Sequence, residues 1–185
     1  MARIFARALN RDGALAEGEE IGNAILRGED LDVIEIDGAS NNGVDQVREL
    51  RDNAIYRPAR ARNKIYIIDE VHMLTRGAEA ALLKTLEEPP DQVVFVLATT
   101  DPQKVSETIR SRVQHLQFHL LPVAELKKYV KFVIKEAELT VDEDSIDLVL
   151  RQGGGSARDT LSGLVRVPVR SRIENTELRQ RTIIG

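Results

Sequence analysis

The 185-residue chain contains no cysteine and no tryptophan, and aromatic residues make up only 4% of it. The lack of cysteine excludes disulfides, thiolate metal sites and cysteine nucleophiles, and it fits a reducing cytosol. No apolar run approaches membrane-spanning length, and the first ten residues have no signal-peptide core. The 26 basic and 30 acidic residues give a net charge of −4, so the overall charge does not indicate nucleic-acid binding.

What is present is an aliphatic chain, 42% hydrophobic, that is long enough for one ordinary domain and a small second one. Its most informative segment is Asn-Lys-Ile-Tyr-Ile-Ile-Asp-Glu-Val-His-Met-Leu, residues 63–74. The apolar run over 65–68 predicts a parallel strand buried on both faces. Two adjacent carboxylates, Asp69 and Glu70, end this strand, and ligands of open α/β sheets bind at the carboxyl ends of strands.

Carboxylates beside a core are costly unless a cation or a reacting water uses them. The segment therefore has the pattern of a Walker B motif, in which Asp69 holds Mg²⁺ and Glu70 polarises the water that attacks a γ-phosphate. The alternative is a strand that simply leads into a polar loop.

Strand-like and helix-like patterns alternate up to about residue 120, and the pattern is helical beyond Leu120-Leu-Pro122. We predict strands at 31–37, 65–68, 92–98 and 113–118, and helices at 2–9, 21–26, 44–56, 78–88, within 102–112, and at 123–139, 142–152 and 156–165. The fold class is therefore α/β, with a doubly wound, mostly parallel sheet over 1–120. A small helical domain over 121–165 and a poorly packed tail over 166–185 follow.

Three polar features are compatible with a nucleotide site. Thr99 and Thr100 end the strand after the Walker B segment, where a hydroxyl can sense a γ-phosphate, although threonine also favours turns. Arg112 follows a short helix; such arginines are usually solvated, but a rigid one can serve a neighbouring subunit as an arginine finger. Arg158 falls in the first turn of a helix that Ser156 can cap, where the dipole disfavours a cation, so we treat it as a candidate.

Two further stretches can meet phosphates. The loop Gly38-Ala-Ser-Asn-Asn-Gly43 opens a helix, and exposed amides at a helix N-terminus bind anions. Residues 57–64 carry four positive charges and no acid, for which a solvated loop is the more common explanation. The three histidines, including His72, show no metal-ligand spacing.

Together these segments closely resemble the gamma/tau family of bacterial DNA polymerase III clamp-loader subunits, which are AAA+ P-loop ATPases. The matching runs are Leu31–Asp45, Ile65–Leu74, the Leu-Leu-Lys-Thr-Leu-Glu-Glu-Pro-Pro run over 82–90, Ala98–Val105, Ile109–Arg112 and Gly155–Leu161. The resemblance extends from residue 2 to about 164. It is most specific over 65–112, because the Asp-Glu-Val-His box alone also occurs in helicases.

The resemblance implies ATP and Mg²⁺ as cofactors, with Asp69 binding the metal beside Glu70. It implies that Thr99 or Thr100 is sensor 1, Arg112 the trans-acting finger of the Ser-Arg-Cys motif, and Arg158 sensor 2 on a helical lid over 123–165. The implied partners are other loader subunits, a ring-shaped sliding clamp and primer–template DNA in the bacterial cytoplasm, with no membrane. The residues proposed to contact the DNA backbone are Ser40, Asn41, Arg57 and Arg76.

The sequence also departs from the family pattern. The Gly-x-x-Gly-x-Gly-Lys-Thr P-loop and its strand are not present before the helix at 2–9, so we expect a sheet that is incomplete at its N-terminus, with two strands lacking a neighbour. The four-cysteine zinc module is absent, which predicts no zinc. Val113 replaces the cysteine of the Ser-Arg-Cys motif, residues 166–185 do not continue the lid pattern, and the collar domain is missing.

These departures leave two hypotheses open. The first is an ATP-driven motor subunit whose 185 residues alone bind ATP weakly or not at all. The second is a non-hydrolysing scaffold, like a stator, that donates an arginine finger to a neighbour. A fragment of a DExH helicase is a weaker third hypothesis, because the sequence after Met73 argues against it.

Overall fold

The computed structural model describes residues 1–10, 16–166 and 170–171. The chain forms two compact units, Met1–His115 and Leu116–Gly185. Most of the tail predicted over 166–185 lies outside the described residues. No helix within the described ranges is both long and apolar enough to span a bilayer.

The first unit alternates helices with strands, as the sequence predicts. Its elements are α1 (Ala2–Asn10), α2 (Ala16–Arg27), β1 (Val33–Asp37), α3 (Val44–Ala54), β2 (Lys64–Asp69), α4 (Arg76–Glu87), β3 (Val93–Leu97) and α5 (Glu107–Arg110). A short 3-10 turn, Val71–Met73, connects β2 to α4. Helix α2 begins earlier than the predicted 21–26, and three of its first five residues are glutamates, which favour helix.

The three strands form one parallel sheet in the order β1-β2-β3. Asp37 pairs with Asp69 and Ile68 with Leu97, so the carboxyl ends of the strands lie side by side. This arrangement confirms the predicted parallel sheet, and it places β2 between the other two strands. It also places the residues that follow each strand at one edge of the sheet.

Alternate side chains of β2 enter two different cores, which is what a strand buried on both faces requires. Ile65 and Ile67 pack in a cluster with Ala6 of α1 and Ile25 of α2. Residues 66 and 68 pack on the opposite face in a larger cluster with α3, α4 and α5. Helices therefore cover both faces, and the doubly wound architecture is confirmed.

The strand predicted at 113–118 is wrong, since residues 114–120 have no regular secondary structure. Within the described ranges, β3 pairs only with β2, and no strand lies on its other side to which residues 113–118 could hydrogen-bond. A strand without a hydrogen-bonded partner is not stable, whatever its side-chain pattern. The alternating residues Leu116, Phe118 and Leu120 consequently remain exposed.

The second unit is built on three helices, α6 (Val123–Glu136), α7 (Glu143–Gly153) and α8 (Ala157–Leu164). Two short antiparallel strands, β4 (Leu139–Thr140) and β5 (Arg170–Ser171), accompany them. The helices share one aliphatic core that includes Leu126, Val130, Val149, Leu150 and Leu164.

The predicted helix starts of the second unit are confirmed by their caps. Asp142 caps α7 by accepting from the amide of Ser145 at 2.8 Å. Ser156 caps α8 by accepting from the amide of Asp159 at 3.2 Å. Between these helices a Cβ on Gly153 would lie 1.9 Å from Thr160 Oγ1, so only glycine allows α7 and α8 to approach this closely.

Candidate functional site

The two acids of the Walker B segment lie at the carboxyl end of β2, where β1 approaches closely. Asp69 is exposed, and its Oδ1 accepts a hydrogen bond from the amide of Glu70 at 2.9 Å. The amide of Gly38 donates to the carbonyl oxygen of Asp69 at 2.8 Å. A Cβ on Gly38 would lie 2.8 Å from the carbonyl oxygens of both acids, so a glycine is required for this approach.

Glu70 adopts a left-handed backbone conformation, with φ 47° and ψ 45°. For a residue with a side chain this conformation costs roughly 1–2 kcal/mol, and such residues concentrate at functional sites. Its carboxylate accepts from the hydroxyl of Thr100 at 3.0 Å and from the amide of Thr100 at 3.3 Å. His72 Nδ1 lies 3.2 Å from the same carboxylate. Glu70 is therefore oriented by Thr100, which follows β3, and by His72 of the turn that follows Glu70 itself.

The two threonines after β3 have different environments. Thr100 is exposed and contacts Glu70, whereas Thr99 is half-buried, with its Oγ1 2.9 Å from His72 Nδ1. Thr99 Oγ1 also accepts from the amide of Asp101 at 3.0 Å, which closes a turn. A hydrogen bond from Lys104 holds the pKa of Asp101 below its usual value, so this turn carries a carboxylate. Thr100 thus lies beside the acids, and Thr99 lies behind it.

The loop after β1 is organised by Asp37. Its carboxylate accepts from Ser40 Oγ at 2.6 Å and from the amide of Ala39 at 2.9 Å, and these contacts lower the pKa of Asp37. Asn41 donates to the carbonyl of Asp37 through both its backbone amide, at 2.8 Å, and its side chain, at 3.2 Å. Both predicted DNA contacts in this loop therefore support the loop as well.

Helices α3 and α4 begin next to each other. The amide of Thr75, which caps α4, donates to the carbonyl of Asn42 at 3.0 Å, and the exposed Arg76 follows at the start of α4. The structure thus brings Ser40, Asn41 and Arg76 to neighbouring helix N-termini. Arg57 lies beyond the opposite end of α3, an 11-residue helix that is about 16 Å long, so it is not part of this group.

Arg112 is held at the far end of α4 from Asp69 and Glu70. Its guanidinium donates to Glu87 Oε1 at 2.7 Å and to the carbonyl of Thr108 at 2.8 Å. Helix α4 has 12 residues and is about 18 Å long, so Arg112 does not reach its own chain's acids. Arg158 is exposed in the first turn of α8 in the second unit, and its assignment as sensor 2 remains a prediction.

The oxygen atoms at the ends of β2 and β3 suit a hydrated divalent cation. Mg²⁺ prefers oxygen ligands and keeps several waters, and Asp69 offers an exposed carboxylate. Glu70 and Thr100 add an oriented carboxylate and a hydroxyl within hydrogen-bond distance of each other. These groups can bind a divalent cation and orient a water molecule, which is the chemistry predicted for the Walker B segment.

Three residues that contact or support the predicted site residues were not predicted from the sequence. His72 contacts both Glu70 and Thr99, and its position three residues after Asp69 was the available indication. Glu87 binds Arg112 across 25 residues of sequence, a pairing that no local pattern predicts. Buried Asp32 accepts hydrogen bonds from three successive amides, residues 59–61, and so fixes the basic connection that follows Arg57.

Comparison with known proteins places this geometry in a family. The profile of the family described as DNA polymerase III, delta subunit, matches residues 3–122, more than half of the chain. The gamma/tau subunit of Mycobacterium tuberculosis H37Rv is 48% identical over 134 residues, covering 72% of this chain and 23% of that protein. The tau subunit of Escherichia coli K12 is 44% identical over 168 residues, covering 88% of this chain and 26% of that protein.

Solved structures agree with the sequence relatives. A gamma subunit-related protein of Thermotoga maritima superposes with a TM-score of 0.60 at 25% identity, covering 88% of this chain and 47% of that one. The RuvB Holliday junction branch migration motor of the same organism superposes at 0.60 with 18% identity, covering 81% of this chain and 49% of that one, which supports the fold alone. The AAA+ P-loop fold class is thereby confirmed.

The chain spans less than half the length of each of these relatives. The family profile nevertheless covers the sheet, the two acids and both threonines. The chain therefore belongs to the DNA polymerase III delta-subunit family, and it resembles the gamma/tau subunits of that polymerase.

Proposed function

We propose that this chain is a gamma/tau-like subunit of a bacterial clamp loader, acting in DNA replication in the cytoplasm. In this role it assembles with other loader subunits and uses ATP to place a ring-shaped sliding clamp on primed DNA. The observation that carries the proposal is the cluster of Asp69, Glu70 and Thr100 at the carboxyl ends of β2 and β3. The gamma/tau names of the relatives support the DNA polymerase III context.

Each residue of this cluster has a separate task. Asp69 would hold Mg²⁺, which when bound neutralises charge on the nucleotide phosphates. Glu70 would orient and polarise the attacking water. Thr100 fits the sensor 1 role better than Thr99, because its hydroxyl lies beside Glu70 whereas the hydroxyl of Thr99 is used in a turn. Arg158 would act as sensor 2 from the helical unit.

Primer–template DNA would be contacted through its phosphates. The adjoining N-termini of α3 and α4 present backbone amides and the cation of Arg76, and both favour anions. Ser40 and Asn41 shape the loop that precedes α3. Arg57, at the opposite end of α3, would touch a different part of the backbone.

The 185 residues contain no Gly-x-x-Gly-x-Gly-Lys-Thr motif. We therefore propose that this polypeptide by itself binds Mg-ATP weakly or not at all, because the amides and lysine that cradle the phosphates are not among its residues. Isothermal titration of the chain with Mg-ATP tests this directly. A micromolar dissociation constant would show that the chain holds the nucleotide without this motif.

A second candidate function is a non-hydrolysing scaffold that donates Arg112 to a neighbouring subunit's nucleotide. The contacts of Arg112 favour it, because Glu87 and the carbonyl of Thr108 hold the guanidinium in place about the length of α4 from its own acids. An arginine presented in this way suits action in trans.

One experiment separates the two functions. The protein is expressed from its whole reading frame and assembled with the loader subunits of its own organism, and ATP hydrolysis stimulated by primed DNA is measured for Glu70→Gln and Arg112→Ala. A motor subunit predicts that Glu70→Gln removes its share of hydrolysis. A scaffold predicts that Glu70→Gln changes nothing while Arg112→Ala lowers hydrolysis by the neighbour. No effect of either variant would contradict both functions.

A further inference from the structure

We infer that His72 is the positioning residue of this site, which holds the carboxylate of Glu70 and the end of β3 in one fixed geometry. The inference rests on the proposed hydrolytic role of Glu70. His72 lies in the 3-10 turn that follows the acids, and its side chain is only 9% exposed. A nearly buried imidazole between two elements is well placed to connect them.

A single ring nitrogen makes both contacts. His72 Nδ1 lies 2.9 Å from Thr99 Oγ1 and 3.2 Å from Glu70 Oε2. An ionised carboxylate can only accept hydrogen bonds, so a bare nitrogen lone pair facing Glu70 would be repelled. We therefore expect Nδ1 to carry a proton, which would be donated to Thr99 Oγ1 and would turn the positive end of the N–H dipole toward the nearby carboxylate of Glu70.

Thr99, the contact of His72 in the turn that follows β3, is itself held in place. Thr99 Oγ1 accepts from the amide of Asp101 at 3.0 Å, and the amide of Val71 donates to the carbonyl of Ala98 at 3.0 Å. The imidazole thus connects Glu70 to a closed turn on the neighbouring strand. Thr100, the next residue, donates to Glu70 from that same turn. Movement of His72 would remove this side-chain link between the acid and the turn.

The contacts of His72 and Thr100 help to hold Glu70 in its strained backbone conformation. A left-handed glutamate persists only where its surroundings hold it, and the side-chain contacts from His72 and Thr100 supply that restraint. Losing a residue that orients a reacting group typically lowers activity by about 10- to 100-fold. We expect this loss in the turnover number, with the Michaelis constant for ATP unchanged, because His72 orients Glu70 without touching the nucleotide.

The first test needs no nucleotide. Long-range ¹⁵N–¹H correlation spectra of the full 185-residue chain report the protonated nitrogen of each histidine ring. We expect the Nδ1–H form for His72, with a shift that Thr99→Val and Glu70→Gln both change. The exposed rings of His115 and His119 serve as internal controls and should not respond. An unprotonated Nδ1, or a His72 signal that ignores both substitutions, would overturn the inference.

The second test uses the protein expressed from its whole reading frame and assembled with its loader subunits. His72→Ala should lower the turnover number about 10- to 100-fold. His72→Asn, whose amide nitrogen can replace Nδ1, should restore most of it, and His72→Gln, whose nitrogen lies where Nε2 was, should not. If Glu70→Gln abolishes hydrolysis but His72→Ala does not reduce it, the role of His72 is wrong and the proposed function stands. If Glu70→Gln has no effect, the hydrolytic role itself is wrong, and the positioning role of His72 is wrong with it.

Discussion

Arg112 and Glu87 form an ion pair with 2.7 Å between Nη2 and Oε1, at the last turn of α4. The second terminal nitrogen of Arg112 donates to the carbonyl of Thr108, so the planar guanidinium is held from two sides. Glu87 belongs to the Leu-Leu-Lys-Thr-Leu-Glu-Glu-Pro-Pro run over 82–90, one of the segments on which the family resemblance rests. Through this contact, Glu87 holds the side chain of Arg112 at the surface of the first unit.

Glu87→Gln should weaken this presentation while leaving the fold intact. We expect hydrolysis at the neighbouring subunit to fall about twofold to fivefold in the assembled complex, which corresponds to the ~0.4–1 kcal/mol of an exposed ion pair. The adjacent Glu88→Gln is a matched control, because Glu88 is also exposed. A rise in hydrolysis would instead show that Glu87 restrains Arg112.

Asp32→Asn should destabilise the first unit by about 2 kcal/mol, because the carboxylate accepts three backbone hydrogen bonds in a buried position. Urea unfolding at pH 7 measures this loss. The exposed Asp91→Asn is the control and should change stability by less than about 0.5 kcal/mol. An equal effect of both substitutions would show that Asp32 does not fix residues 59–61.

The contribution of Asp32 should also depend on pH. Burial raises the pKa of Asp32, but the amides of residues 61, 60 and 59 outweigh this and hold the pKa below its usual value. A lowered pKa in the folded state means that the stabilisation is present above the unfolded pKa of about 3.9 and is lost as the pH falls through the folded value. The difference between wild type and Asp32→Asn should therefore narrow below about pH 4.

Tyr66→Phe should leave stability unchanged or raise it by up to about 1 kcal/mol. The hydroxyl of Tyr66 is buried without a hydrogen-bond partner among the described residues, and burial raises its pKa to about 12. Removing an unpaired buried hydroxyl relieves a desolvation cost, and the ring keeps its stacking on Phe95 at 5.5 Å. Thermal unfolding measures the change, with the partly exposed Tyr129→Phe as control. A clear loss of stability would indicate that the hydroxyl has a partner.

Gly153→Ala should destabilise the helical unit by about 1–3 kcal/mol, because the new methyl group would clash with both the side chain and the backbone of Thr160. Gly154→Asn is the control, since nothing lies within 4 Å of that position and asparagine tolerates its left-handed backbone. Unfolding followed by circular dichroism distinguishes them. Equal stability of the two variants would contradict the close α7–α8 packing.

Local sequence patterns were sufficient for most of the fold. The run of isoleucines in β2, the helical spacing in α3 and the caps Asp142 and Ser156 each depend on neighbours along the chain. The segment over 113–118 shows where this reasoning stops. Its alternation is typical of a strand, but a strand needs a partner, and pairing is decided by the whole sheet.

The sequence by itself determined the chemical types at the site, because acids at the end of a buried strand and hydroxyls at the end of the next must meet at one edge of a parallel sheet. Only the tertiary structure decided which of these side chains contact one another. It placed Thr100 beside Glu70 and Thr99 behind it, brought His72 back onto both elements, and paired Arg112 with Glu87. Side-chain contacts within about 3 Å depend on turns and packing that bring distant residues together, and no periodicity along the chain encodes them.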